Sequence, residues 1–195
     1  TANTDAALIV DNSSHTYVQF RTPATKEQGL LFGDDADNDA GGITYDHNNN
    51  ALGFRVNAAS VLSINSNGLV DFKENTVQKA VLKNYTETVK AIGNTGTSAT
   101  LDLADGNVFT ATLNGNCTFT FTTGTNSAPN MQSFSLILTN DGTPSRTIAW
   151  PASVKWPNNS APSRTTAASK TDIWSFMSPD NGTTWYGNIA LYNFT

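Results

Sequence analysis

Apolar residues recur at every second position through much of the chain's second half. Leu101 and Leu103 open the series, followed by Phe109, Ala111 and Leu113, by Cys117, Phe119 and Phe121, and by Phe134, Leu136 and Leu138. Between the apolar members of 117–122 stand Thr118, Thr120 and Thr122. A period of two is the strand period, because successive side chains leave opposite faces of a pleated sheet. The pattern therefore predicts strands with one greasy and one hydroxylated face. It continues through Ile148 and Trp150, 173–177 and 185–194, and in the last of these both alternating sets are apolar. Such a strand asks for cover on both sides. Pro144, Pro151, Pro157 and Pro162 fall in the predicted connections, where a missing N–H costs the sheet nothing.

Five two-residue signals predict hairpin turns: Asn67-Gly68, Asp105-Gly106, Asn114-Gly115, Asp141-Gly142 and Asn181-Gly182. The first 72 residues read as short strands (17–21, 30–32, 43–45, 52–56, 61–64 and 69–72) separated by polar turns, with few large apolar residues. A segment burying so little is marginal alone and is expected to lean on its neighbours or on identical chains. Val77 to Ile92 fits either near-helical spacing or a strand; its Thr and Val content tips it toward strand. Gly93 to Thr97 marks a break. The expected fold class is all-β: a short-strand fibre module over 1–73, a connector over 74–94, and an antiparallel, jelly-roll-like β-sandwich over 95–195.

Composition narrows the function. The chain holds 28 Thr and 23 Asn against 27 charged residues, and its net charge is −5. A protein that grips nucleic-acid phosphates with a basic face is not expected from such a balance. No run approaches the roughly 20 apolar residues of a membrane span, and Thr1 to Asp5 carry no signal-peptide pattern. Cys117 is the sole cysteine. It alternates with Phe119 and Phe121 and reads as core, not as a nucleophile.

Two groups of residues invite chemistry. Asp35, Asp37 and Asp39 alternate, and Asp46 follows eleven residues after Asp35, the spacing of a calcium loop. Ala40 stands where such a loop wants glycine, and the alternative is a solvated hairpin turn. Ca²⁺ is accordingly the only cofactor the sequence brings up. The second group is aromatic. Trp156 lies beside Asn158 and Asn159 in a predicted loop, and Trp185 and Tyr186 stand together further on. An aromatic face complements the apolar face of a sugar ring while amides fix its hydroxyls, so these five residues are the candidate glycan or receptor contacts; the competing reading is that the aromatics are core. No catalytic residues are assigned: Ser14 and His15 are adjacent, but no Gly-x-Ser-x-Gly elbow occurs.

Leu30-Leu31-Phe32-Gly33-Asp34-Asp35, Gly42-Ile43-Thr44-Tyr45-Asp46-His47, Leu52-Gly53-Phe54 and Leu62 to Gly68 resemble a β module of bacteriophage tail fibres and tailspikes. Gly115 to Phe121, Thr147 to Pro151, Val154-Lys155-Trp156-Pro157 and Gly182 to Gly187, with Leu101-Asp102-Leu103 and Gly106-Asn107-Val108, resemble a C-terminal module of tail fibres from marine and cyanobacterial phages. The resemblance implies a homotrimeric virion fibre or fibre tip, extracellular, touching other virion proteins and a host cell-surface glycan or protein receptor. It implies adhesion without catalysis and without insertion into a membrane. The chain is then expected to be a fragment, since no virion-anchoring segment or self-cleaving chaperone domain is recognised in it. The rival expectations are a capsid or tail decoration that binds no receptor, and a polysaccharide depolymerase, for which long β-helical repeats are expected and not seen in the sequence.

Overall fold

The computed structural model describes residues 8–124 and 130–195. Among these the protein is all-β, with fourteen strands, one 3-10 turn at Pro157–Asn159 and no α-helix. The chain divides into two compact units, Thr1–Ala80 and Val81–Thr195.

The first unit is an antiparallel meander of β1 (Glu27–Phe32), β2 (Gly41–Asp46), β3 (Ala51–Val56), β4 (Ala59–Ile64) and β5 (Val70–Asp71). Its turns are held by short side chains bonding back to the backbone. Asp34 Oδ1 accepts the Ala36 and Asp37 N–H groups, Asp46 Oδ1 that of Asn48, and Asn65 Oδ1 those of Asn67 and Leu69. Gly68 supplies the positive φ, 77°, of the β4–β5 hairpin. The register lays Leu30, Ile43, Phe54 and Leu62 in one cross-strand row, and Tyr45, Leu52, Ile64 and Val70 in the next. Directly opposed residues share a face, so these rows make one side apolar, while Gly29, Gly42, Thr44, Gly53 and Ser63 line the other. Much of the apolar side is open among the described residues of this unit: Phe32 is 57% exposed and Val56 60%.

The second unit packs two sheets. The larger runs β12 (Val154–Lys155), β14 (Trp185–Phe194), β13 (Thr171–Ser178), β10 (Gln132–Asn140), β8 (Val108–Leu113) and β6 (Val89–Asn94). The smaller runs β11 (Ile148–Ala149), β9 (Cys117–Thr122) and β7 (Ser98–Asp102). Their inner faces meet in one core, in which Leu101, Phe109, Leu113, Phe119, Leu136, Trp174, Phe176 and Trp185 are all but inaccessible. Cys117 belongs to it, and burial pushes its thiol pKa up. Thr118, Thr120 and Thr122 point outward as the alternation predicts, and the Thr120 hydroxyl meets that of Thr100 on the neighbouring strand at 2.8 Å.

This half is the β-sandwich predicted, but its pairing is mixed where antiparallel strands were expected. β6, β8 and β10 are parallel neighbours, as are β7, β9 and β11, while β13 adds antiparallel to β10, β14 antiparallel to β13, and β12 parallel to β14. The chain therefore coils from one sheet to the other in three rungs, β6–β7, β8–β9 and β10–β11. Asp105-Gly106, Asn114-Gly115 and Asp141-Gly142 are arches between sheets, and only Asn67-Gly68 and Asn181-Gly182 reverse hairpins. Stacked arches explain some of the asparagine: Asn114 Oδ1 accepts the Gly96 N–H at 2.8 Å and Asn116 Oδ1 the Thr147 N–H at 3.0 Å. A Cβ at Gly115 would lie 2.6 Å from the Gly96 carbonyl oxygen, so close approach, not positive φ, requires glycine there. β6 falls inside the span 74–94 expected to be a connector, because its Val89–Asn94 backbone pairs with β8.

A polar network holds the segment before β13. Buried Asn140 donates to the Thr165 and Ala167 carbonyls and accepts from Arg164 Nη1 at 2.8 Å. Buried Asp172 accepts the Thr165 and Asn193 N–H groups. Arg164 also donates to the Arg146 carbonyl; its burial pulls its pKa down, opposed by the Asp172 charge.

Candidate binding groove

At the outer edge of the larger sheet, a groove of about 400 Å³ is lined by Lys155, Trp156, Pro157, Ser175, Met177, Tyr186, Gly187 and Asn188. The strand register builds it. Tyr186 stands opposite Lys155 of β12 on one side and opposite Met177 of β13 on the other, and Asn188 stands opposite Ser175. Lys155, Tyr186 and Met177 thus form one row about 10 Å long, two strand spacings, with the Ser175–Asn188 pair as the next row. Tyr186 and Met177 are about half exposed.

The β13–β14 hairpin fixes that register. The Ser178 hydroxyl, fully buried, accepts the Gly182 N–H at 2.8 Å and donates to Asp180 at 2.9 Å; Asp180 also accepts the Thr184 N–H at 2.8 Å. That last bond is the main reason the Asp180 carboxyl titrates below the usual carboxylate range. Gly187 performs a second service. A Cβ there would sit 2.7 Å from the Trp156 ring and 2.8 Å from that of Phe176, so its absence lets Trp156 fold over β14 onto the core.

The five predicted contacts separate. Tyr186 is the exposed aromatic of the groove. Trp185, its neighbour in a strand, points the opposite way and is 1% exposed; it packs against Phe121 and Phe134, so a surface role for it is corrected to core. Trp156 is half-buried against Trp150, Trp174 and Phe176 and lines the groove without standing free in a loop. Asn158 and Asn159 are exposed in the 3-10 turn, with φ of 54° and 56°, and do not line the groove. Lys155, Ser175, Met177 and Asn188 are additions that sequence reasoning missed. The available signal was the period of two in Ser175-x-Met177 and Tyr186-x-Asn188.

The acidic loop of the first unit is occupied with its own turn. Asp34 holds two N–H groups, which lower its pKa, with Ala36 the larger cause. Asp37 accepts the Asp39 N–H, and Asp39 pairs with Arg55 at 2.7 Å. Asp35 is exposed, and Asp46 is engaged with Asn48 and Asn49. Among the described residues no three His, Cys, Asp or Glu side chains come together as a metal-holding group. A second concavity, about 540 Å³ and lined by Phe32, Ile43, Phe54 and Val56 among others, is part of the open apolar face of the first unit.

Compared with known proteins, the chain matches no family model, no curated protein and no solved structure.

Proposed function

We propose that this chain is a segment of a bacteriophage virion fibre that assembles as a homotrimer and adheres, without catalysis, to a glycan on the host cell surface. The observation that carries adhesion is the groove: an exposed tyrosine flanked by a thioether, a hydroxyl and an amide on a rigid sheet suits the apolar face and hydroxyls of a sugar ring. Its lining includes no Asp or Glu, so the carboxyl pair that glycoside hydrolysis uses is not there. The open apolar face of the first unit supports self-assembly, since three copies packing these faces together would remove them from water. Repetition then multiplies a weak site through effective concentration.

The test is saturable binding of the labelled, purified chain to host-range bacterial cells. Tyr186→Ala is expected to weaken each site about fivefold, compounding across copies, with the far-ultraviolet circular dichroism of the wild type retained. Saturable binding that Tyr186→Ala leaves intact would remove the groove from the account. No saturable binding at all would favour a purely structural fibre or decoration.

A further inference from the structure

Lys155 is the one charged residue lining the groove. Arg55, Lys73, Lys90 and Arg146 each pair with a carboxylate, at 2.7, 2.5, 2.8 and 3.1 Å. Lys155 forms no such pair among the described residues, and what sets it apart from the other basic side chains outside these four pairs is its place in the groove. Its register partner is Tyr186, so the lysine stem rises beside the ring on the same face. In a chain of net charge −5 this is a local positive point at one end of an apolar row.

Resting on the adhesion reading, we infer that the groove takes an anionic sugar ring, with Lys155 as the contact for its charged substituent. A neutral sugar would use the Tyr186 face and the Ser175 and Asn188 polar groups, leaving the ammonium idle. A ring bearing a carboxylate or sulfate engages all three: apolar face on Tyr186, hydroxyls toward Ser175 and Asn188, anion toward Lys155 in a charge-assisted hydrogen bond. The protein's overall negative charge repels acidic polymers, so the preference is local to this residue and not a bulk electrostatic effect.

The chain's two methionines give the test a site-specific readout. Met177 lines the groove, and Met131 does not. The full chain, carrying ¹³C-methyl methionine, is titrated with oligogalacturonate and its methyl ester, and with a sulfated galactan oligosaccharide and its desulfated form. The expected result is a shift of the Met177 methyl signal with Met131 unmoved. At least one acidic probe should bind about two- to fivefold more tightly than its neutral counterpart, and which of the two pairs responds separates carboxylate from sulfate. Lys155→Gln should abolish the preference and Lys155→Arg should keep it. Equal binding of acidic and neutral forms, or a preference that survives Lys155→Gln, overturns the inference but leaves glycan adhesion standing. A Met177 signal silent to all four probes also overturns it, and adhesion is then judged separately by the Tyr186-dependent binding to cells.

Discussion

Phe176→Ala is expected to destabilise the second unit by about 3–5 kcal/mol, the range for emptying a large aromatic from a close-packed core. Phe176 has no accessible surface and is the hub of the aromatic cluster. Its ring stacks on Phe134 at 4.9 Å and lies 4.9 Å from Phe121, 5.3 Å from Trp150 and 5.9 Å from Trp156. These neighbours come from both sheets and from the segments flanking β12, so none can collapse into the space without drawing its own strand along. Phe176→Leu keeps part of the volume and should cost less. Urea unfolding followed by tryptophan fluorescence measures both. A loss under about 1 kcal/mol for the alanine variant would mean that the two layers are not packed as described. Because Trp156 rests on Phe176 above Gly187, the same variant should also loosen the groove.

Asp172→Ala is expected to cost about 2–4 kcal/mol. Its carboxylate is buried, and each oxygen accepts one backbone N–H, from Thr165 at 2.8 Å and from Asn193 at 3.0 Å. Removing the acceptor leaves two donors without partners: that of half-buried Thr165 costs about 1–3 kcal/mol, that of Asn193, an exposed residue, costs less because water can replace the carboxylate, and Arg164 loses the opposite charge that offsets its burial. Asp172→Asn retains one acceptor oxygen and should fall between wild type and alanine. Equal stability of all three proteins in the same urea experiment would show that the segment between β12 and β13 and the end of β14 are held by something else.

The alternation around Phe109, Phe119, Leu136 and Trp174 made the strands and their buried faces legible in the sequence. The connectivity was not legible, for a definite reason. Residues on either side of an Asn-Gly or Asp-Gly turn alternate in the same way whether they pair side by side in a hairpin or face each other across a core in an arch. Leu113 and Cys117 do the latter across Asn114-Gly115. What decides is the stacking of one arch on the next, as in the Asn114-to-Gly96 bond, and that contact spans 18 residues. The groove was half legible for a related reason. Trp185 and Tyr186 are both aromatic, so the pattern could not say which faces in; the inward Gly187, crowded by Trp156, decides it. Lys155 joins the site only because a two-residue strand lies parallel to β14. The spacing of Asp35, Asp37 and Asp39 could not reveal that Asp39 is taken by Arg55, sixteen residues away.

The most direct measurement of the central claim is the mass of the full chain at micromolar concentration by sedimentation equilibrium. An apolar sheet face this open is satisfied only by other copies in this account, so the expected mass is three times the 20.8 kDa of one chain. Ile43→Asp, which sets a charge in the middle of that face, should release single chains. A wild-type protein sedimenting at 20.8 kDa, with no tendency to associate, would contradict the fibre.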